Sequence, residues 1–129
     1  MQPADANTSF SRDHRIKSTL QIQEIVTGGQ SVFAFPIKCY YRFVADCPCV
    51  DSSLAVVVPK RRFRRAVDRN RLKRLMREAY RHHKFQFPET FTEECHLQMC
   101  WVYVANEMAD YETVVHAVSK INQKIQQAL

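Results

Sequence analysis

A chain of 129 residues, 46% of them hydrophobic and 25% charged, is long enough to bury one core without disulfide or metal staples, and we expect a single domain over 1–129. No apolar run approaches the roughly 20 residues needed to cross a bilayer, and the polar start MQPADANTSF lacks the pattern of a secretion signal, so the expectation is a cytoplasmic protein with no membrane partner. The formal charge of +6 is not an even coating: 12 of the 19 Lys and Arg, against two of the 13 acidic residues, fall between Lys60 and Lys84. That density on an otherwise mildly acidic chain points to a polyanion as partner.

In chain order, residues 1–13 are polar and expected to be flexible, with Phe10 as an anchor onto the domain. Ser18 is suited to cap a short helix running to about Thr27, with Leu20, Ile22, Ile25 and Val26 as its apolar positions. Gly28 and Gly29, the only glycines in the chain, end it in the manner of a glycine C-cap. From Phe33 to Val44 the pattern has period two and predicts one strand. Ile37, Cys39, Tyr41 and Phe43 form its core face, and Lys38, Tyr40, Arg42 and Val44 the other. That second face sets an aromatic ring between two cations. Such an arrangement suits stacking a base while holding its phosphates, and equally suits cross-strand packing of Tyr40. Residues 45–53 read as a loop, and Leu54 to Val58 as a buried central strand ended by Pro59.

In the basic stretch, Leu72, Leu75, Met76, Ala79 and Tyr80 recur at helical spacing. Asn70, Arg74, Arg77 and Arg81 fall together on the opposite face, flanked by Arg71 and Lys73, over roughly 16 Å of helix. Like charges at i,i+4 repel by a few tenths of a kcal/mol per pair, so solvated helices normally mix their signs. A face kept uniformly basic is better explained by a phosphate backbone than by solvent alone. Beyond it, Phe85, Phe87, Pro88 and Phe91 are expected to pack the connection onto the core. His96 to Ala105 alternates as a strand. Tyr111 to about Ala128 predicts a last helix through Val114, Val115, Val118, Ile121 and Ile125.

A protein nuclease needs carboxylates or histidines that converge on a metal or a proton. The five histidines, at 14, 82, 83, 96 and 116, are scattered, and the acidic residues show no metal-ligand spacing. His82 and His83 close the basic helix, where the helix dipole and phosphate electrostatics account for them. Five cysteines without a C-x-x-C spacing read as reduced thiols. Cys47, Cys49, Cys95 and His96 include zinc-ligand types, but three cysteines would have to converge, and no protein-bound metal or cofactor is expected.

The order of residues within the stripe is more specific than its charge. Lys60-Arg61, then Arg64-Arg65-Ala66-Val67, then Arg69-Asn70-Arg71-Leu72-Lys73-Arg74 with Arg77 resembles the signature of the bacterial ribonuclease P protein component, whose helix reads R-N-R-x-K-R-x-x-R. The resemblance extends over about residues 10 to 125. The periodicities predict the order αβ–β–α–β–α, with three to four strands. The resemblance implies an α/β (α+β) sandwich in one domain, similar to the second domain of the fifth small-subunit ribosomal protein, with a left-handed crossover around the basic helix. It also implies the function: a protein that binds ribonuclease P RNA and precursor tRNA while the RNA, with its Mg²⁺, hydrolyses the phosphodiester that frees the 5′ leader. Lys60, Arg61, Arg64, Arg65, Arg69, Asn70, Arg71, Lys73, Arg74, Arg77 and Arg81 would then contact RNA. Arg15, Lys17, Ile22, Val26, Lys38, Tyr40 and Arg42 would line a cleft for the leader. The family often carries an aromatic pair on the first helix where this chain has Ile22 and Val26, so Tyr40 keeps the one aromatic of those three positions. The main alternative is a basic RNA-binding protein of the ribosome or its assembly. A DNA-binding helix comes next, disfavoured because no second helix stands at helix-turn-helix spacing. A metal-dependent nuclease acting alone comes last.

Overall fold

A computed structural model describes residues 19–45, 51–86 and 95–128. Its elements are helix α1 (Thr19–Gly28), strands β1 (Gln30–Ala34), β2 (Ile37–Ala45) and β3 (Asp51–Val57), helix α2 (Ala66–His82), strand β4 (Cys95–Tyr103) and helix α3 (Tyr111–Gln127). The strands pair in the order β1-β2-β4-β3, antiparallel except for β3 with β4. A parallel pair cannot be joined by a tight turn, and α2 supplies the crossover between β3 and β4.

Period-two alternation divides the sheet into two faces. Ile37, Cys39 and Tyr41 of β2, Leu97, Met99, Trp101 and Tyr103 of β4, and Leu54 of β3 meet Leu72, Met76, Ala79 and Tyr80 of α2 and Val114, Ala117, Val118, Ile121 and Ile125 of α3. The opposite face carries α1. There Ile25 is fully buried with Ala55 and Cys100, and Ile22, Tyr40, Val57 and Val102 pack around them. The order is therefore helix, sheet, helix pair. Trp101 and Tyr80 anchor the larger layer edge to face, ring centroids 5.7 Å apart, a geometry favoured by the ring quadrupoles. Asp110 caps α3 by accepting the Thr113 amide at 2.9 Å, satisfying one of the orphan donors of the first turn.

Four expectations are corrected. The single strand from Phe33 to Val44 is two strands, because the chain reverses at Phe35-Pro36, whose peptide bond is cis. Asp51 to Ser53 belong to β3 rather than to a loop; Ser52 and Ser53 are buried, and their hydroxyls bond the Tyr80 hydroxyl and His96 Nε2. β3 is an edge strand, not a central one. Its aliphatic run records burial on both faces: Leu54 under α2 and α3, and Ala55 on the α1 side. The helix α1 buries only part of its expected stripe, since Leu20 and Val26 are exposed. Phe10, Arg15, Lys17, Ser18, Cys47, Cys49, Phe87, Pro88 and Phe91 lie outside the described residues.

Candidate nucleic-acid interface

Helix α2 is placed by its apolar face. Leu72, Met76, Ala79 and Tyr80 are fully buried, which turns the basic side outward. Asn70, Arg71 and Arg74 are exposed there, with Lys73, Arg77 and Arg81 half-buried beside them. The turn ahead of the helix adds Lys60, Arg61, Arg64 and Arg65, all exposed. The amides of Arg62 and Phe63 fold this turn onto the Pro59 carbonyl, and the Arg62 guanidinium donates to Asn106 Oδ1 at 2.8 Å. Phe63 packs under it against Tyr103, centroids 5.7 Å apart. The turn and the helix are thus held by apolar and neutral contacts, leaving most cations unengaged by the fold.

Among the predicted contacts, Arg69, Arg81 and Arg42 have hydrogen bonds within the protein that explain their placement. Arg69 donates to the carbonyls of Phe63 and Arg64, both at 2.8 Å. The residue before α2, Arg65, makes no side-chain cap, so Arg69 secures the turn that a capping side chain would otherwise fix. Arg81 bonds Glu78, and His82 Nε2 lies 2.9 Å from the same carboxylate. The Arg81 hydrogen bond, helped by His82, holds the Glu78 carboxyl below its usual range and raises the Arg81 guanidinium in turn. Arg42 is the third. Its Nε donates to Gln98 Oε1 at 2.8 Å, and its Nη1 meets Glu24 of α1 at 3.5 Å, so it ties the helix to the sheet. Lys60, Arg61, Arg64, Arg65, Arg71, Lys73 and Arg74 form no ion pair or side-chain hydrogen bond among the described residues.

Of the cleft positions, Ile22, Lys38 and Tyr40 come together on the α1 face, and Val26 lies exposed at the helix side. The Lys38 ammonium stands 5.2 Å from the centre of the Tyr40 ring, a cation–π contact. The Tyr40 ring itself is half-buried against the cluster of Ile25, Ala55 and Cys100. Sequence reasoning missed the Arg42 clamp, the Arg62–Asn106 tie and the Phe33 ring, which β1 presents beside Lys38. No group of three or more His, Cys, Asp or Glu among the described residues is gathered to hold a metal ion. None of the described helices is long and apolar enough to cross a membrane.

A mixed sandwich with one helix apolar inward and basic outward defines the class: a single-layer-sheet α–β protein built to bind a polyanion. Residues 10–126 match the Ribonuclease P family, and the chain belongs to the family of ribonuclease P protein subunits. It is 34% identical over 116 residues to the ribonuclease P protein component of Porphyromonas gingivalis, covering 89% of this chain and 85% of that one. It is 32% identical over 127 residues to the same component of Chlorobium phaeobacteroides, covering 88% and 86%. Its fold is similar to the RNase P protein from Thermotoga maritima, with a TM-score of 0.67 at 21% identity over 85% of this chain and 96% of that one. As a family member it is an accessory subunit of an endoribonuclease, and its partner is RNA.

Proposed function

We propose that the turn from Lys60 to Arg65 and the outer face of α2 bind ribonuclease P RNA, and that the sheet face beside α1 guides the single-stranded 5′ leader of precursor tRNA. On this reading hydrolysis belongs to the RNA and the Mg²⁺ it holds, with the protein acting in the cytoplasm on neither membranes nor DNA. The observation that carries the reading is the division of labour on α2. Its buried face builds the core, while Arg71 and Arg74 stand outward with no ion-pair partner among the described residues. Keeping such charges unpaired destabilises a free protein through self-repulsion and becomes favourable when phosphates displace their counterions onto the protein.

The test is reconstitution. Purified protein, ribonuclease P RNA and precursor tRNA are mixed at low Mg²⁺, and release of the 5′ leader is followed on a gel. Cleavage should require both protein and RNA. Cleavage by protein freed of contaminating nuclease, or protein that fails to stimulate the RNA, contradicts the reading.

A further inference from the structure

Helix α1 lies across β2 and β4, and on the same face the outer strand β1 carries two exposed residues, Ser31 and Phe33. Phe33 is 49% exposed. It cannot turn inward, because Val32 and Ala34 already face the core on either side of it. Its backbone is also held in place, since the Lys124 ammonium of α3 donates to its carbonyl. Register sets Phe33 directly opposite Lys38 and Ser31 opposite Tyr40. Side chains paired across an antiparallel ladder share a face, and the diagonal Phe33–Tyr40 pair is within reach of large rings at about 7 Å.

The two rings differ in what already touches them. Tyr40 has the Lys38 ammonium over it and packs with the Ile22 cluster. Phe33 has no ring or cation partner among the described residues. An exposed ring beside a cation is the pairing that single-stranded nucleic acid uses: a base lies on the ring and the cation meets the adjoining phosphate.

We propose that Phe33 is the open base-stacking platform of this face, taking one unpaired nucleotide of RNA while Lys38 moves from Tyr40 to the neighbouring phosphate. This rests on the reading that the α1 face takes the leader, and it names the residue that would hold it. Because every base has a π-face, the site selects for an unpaired base rather than for a sequence.

The experiment measures dissociation constants of the reconstituted holoenzyme for precursor tRNA and for mature tRNA, with Phe33→Ala, Phe33→Leu and Phe33→Trp. Phe33→Ala should lose between about fivefold and a hundredfold in affinity for the precursor, with mature tRNA unchanged. Phe33→Leu keeps an apolar side chain at a solvent-facing edge position, so it tests stacking apart from folding, and it should fall with the alanine variant. Phe33→Trp should bind the leader at least as well as the parent. Leader-dependent affinity unchanged in both the Ala and Leu variants overturns the inference. So does equal loss for precursor and mature tRNA. In both cases, stimulation of the RNA by the parent protein leaves the proposed function standing. A parent protein that does not stimulate the RNA removes both.

Discussion

A Cβ added at Gly29 would press into the carbonyl oxygens of Tyr41 and Ile25, whereas one added at Gly28 would meet nothing within 4 Å. Neither glycine has a positive φ, so the left-handed C-cap expected from the glycine pair is not why glycine is there. Gly29 is needed for close approach. Its amide closes α1 on the Ile25 carbonyl at 3.0 Å, and β2 runs past on its other side. The two substitutions should therefore differ in sign. Gly28→Ala removes backbone freedom from the unfolded chain at a position that tolerates the methyl, and should stabilise by about 0.4–1 kcal/mol. Gly29→Ala must push α1 off β2 and should cost about 1–3 kcal/mol, the range for overpacked sites. Urea midpoints of the two variants check this; equal and small effects would mean that α1 is not seated against β2 as described.

At the scale of the element, α2 divides its arginines between fold and surface. Arg69→Ala releases the Phe63 and Arg64 carbonyls and should lower the melting temperature. Arg71→Ala with Arg74→Ala should leave it nearly unchanged. For binding to ribonuclease P RNA the expectation is graded by charge. The double variant should make the log–log salt slope shallower by roughly 0.7–0.9 for each phosphate that the protein no longer neutralises. An unchanged slope with lost stability would assign Arg71 and Arg74 to the fold. The amphipathic pattern of this helix was fully legible in sequence, because its burial is one-sided and 3.6-periodic. The hairpin was not. Read as one strand, Phe33 shares parity with Ile37 and Cys39 and falls on the core face. The reversal at Phe35-Pro36 pairs Ala34 with Ile37, which inverts the parity and sends Phe33 to the α1 face. Composition also hid the place of β3, since burial on both faces gives the same aliphatic run in an edge strand as in a central one. The clamps made by Arg42, Arg62 and Arg69 depend on partners distant in sequence or on turn geometry, and local charge patterning carries neither.

Across the whole molecule, folding perturbs titratable groups in two directions, and together they set a pH window. The hydrogen bond from Arg81 lowers Glu78, and the Thr113 contacts lower Asp110. A carboxyl depressed by folding stabilises above its unfolded pKa, near 4, and that contribution is lost as pH falls through the folded value. Burial acts oppositely on thiols and phenols, raising Cys39, Tyr41 and Tyr103, and lifting Cys100 to about 11. A group raised by folding contributes stability in full below its unfolded pKa and loses it as pH rises. Thiols in the unfolded chain titrate near 8.5 and phenols near 10, so the alkaline decline should begin with the two cysteines. We therefore expect urea midpoints to be flat between about pH 5 and 8 and to fall above 8.5. Replacing Cys39 and Cys100 by Ala should flatten the first part of that decline, although the midpoint itself drops from lost packing. In the native protein at pH 8, both thiols should react with an aromatic disulfide reagent no faster than the chain unfolds. On the proposed reading RNA affinity rests largely on arginines, a residue type that stays cationic throughout the alkaline range, so its salt slope should stay constant across the range where stability is falling. A flat midpoint to pH 10, or rapid labelling of both thiols in the folded state, would show that the sheet does not bury these groups as described.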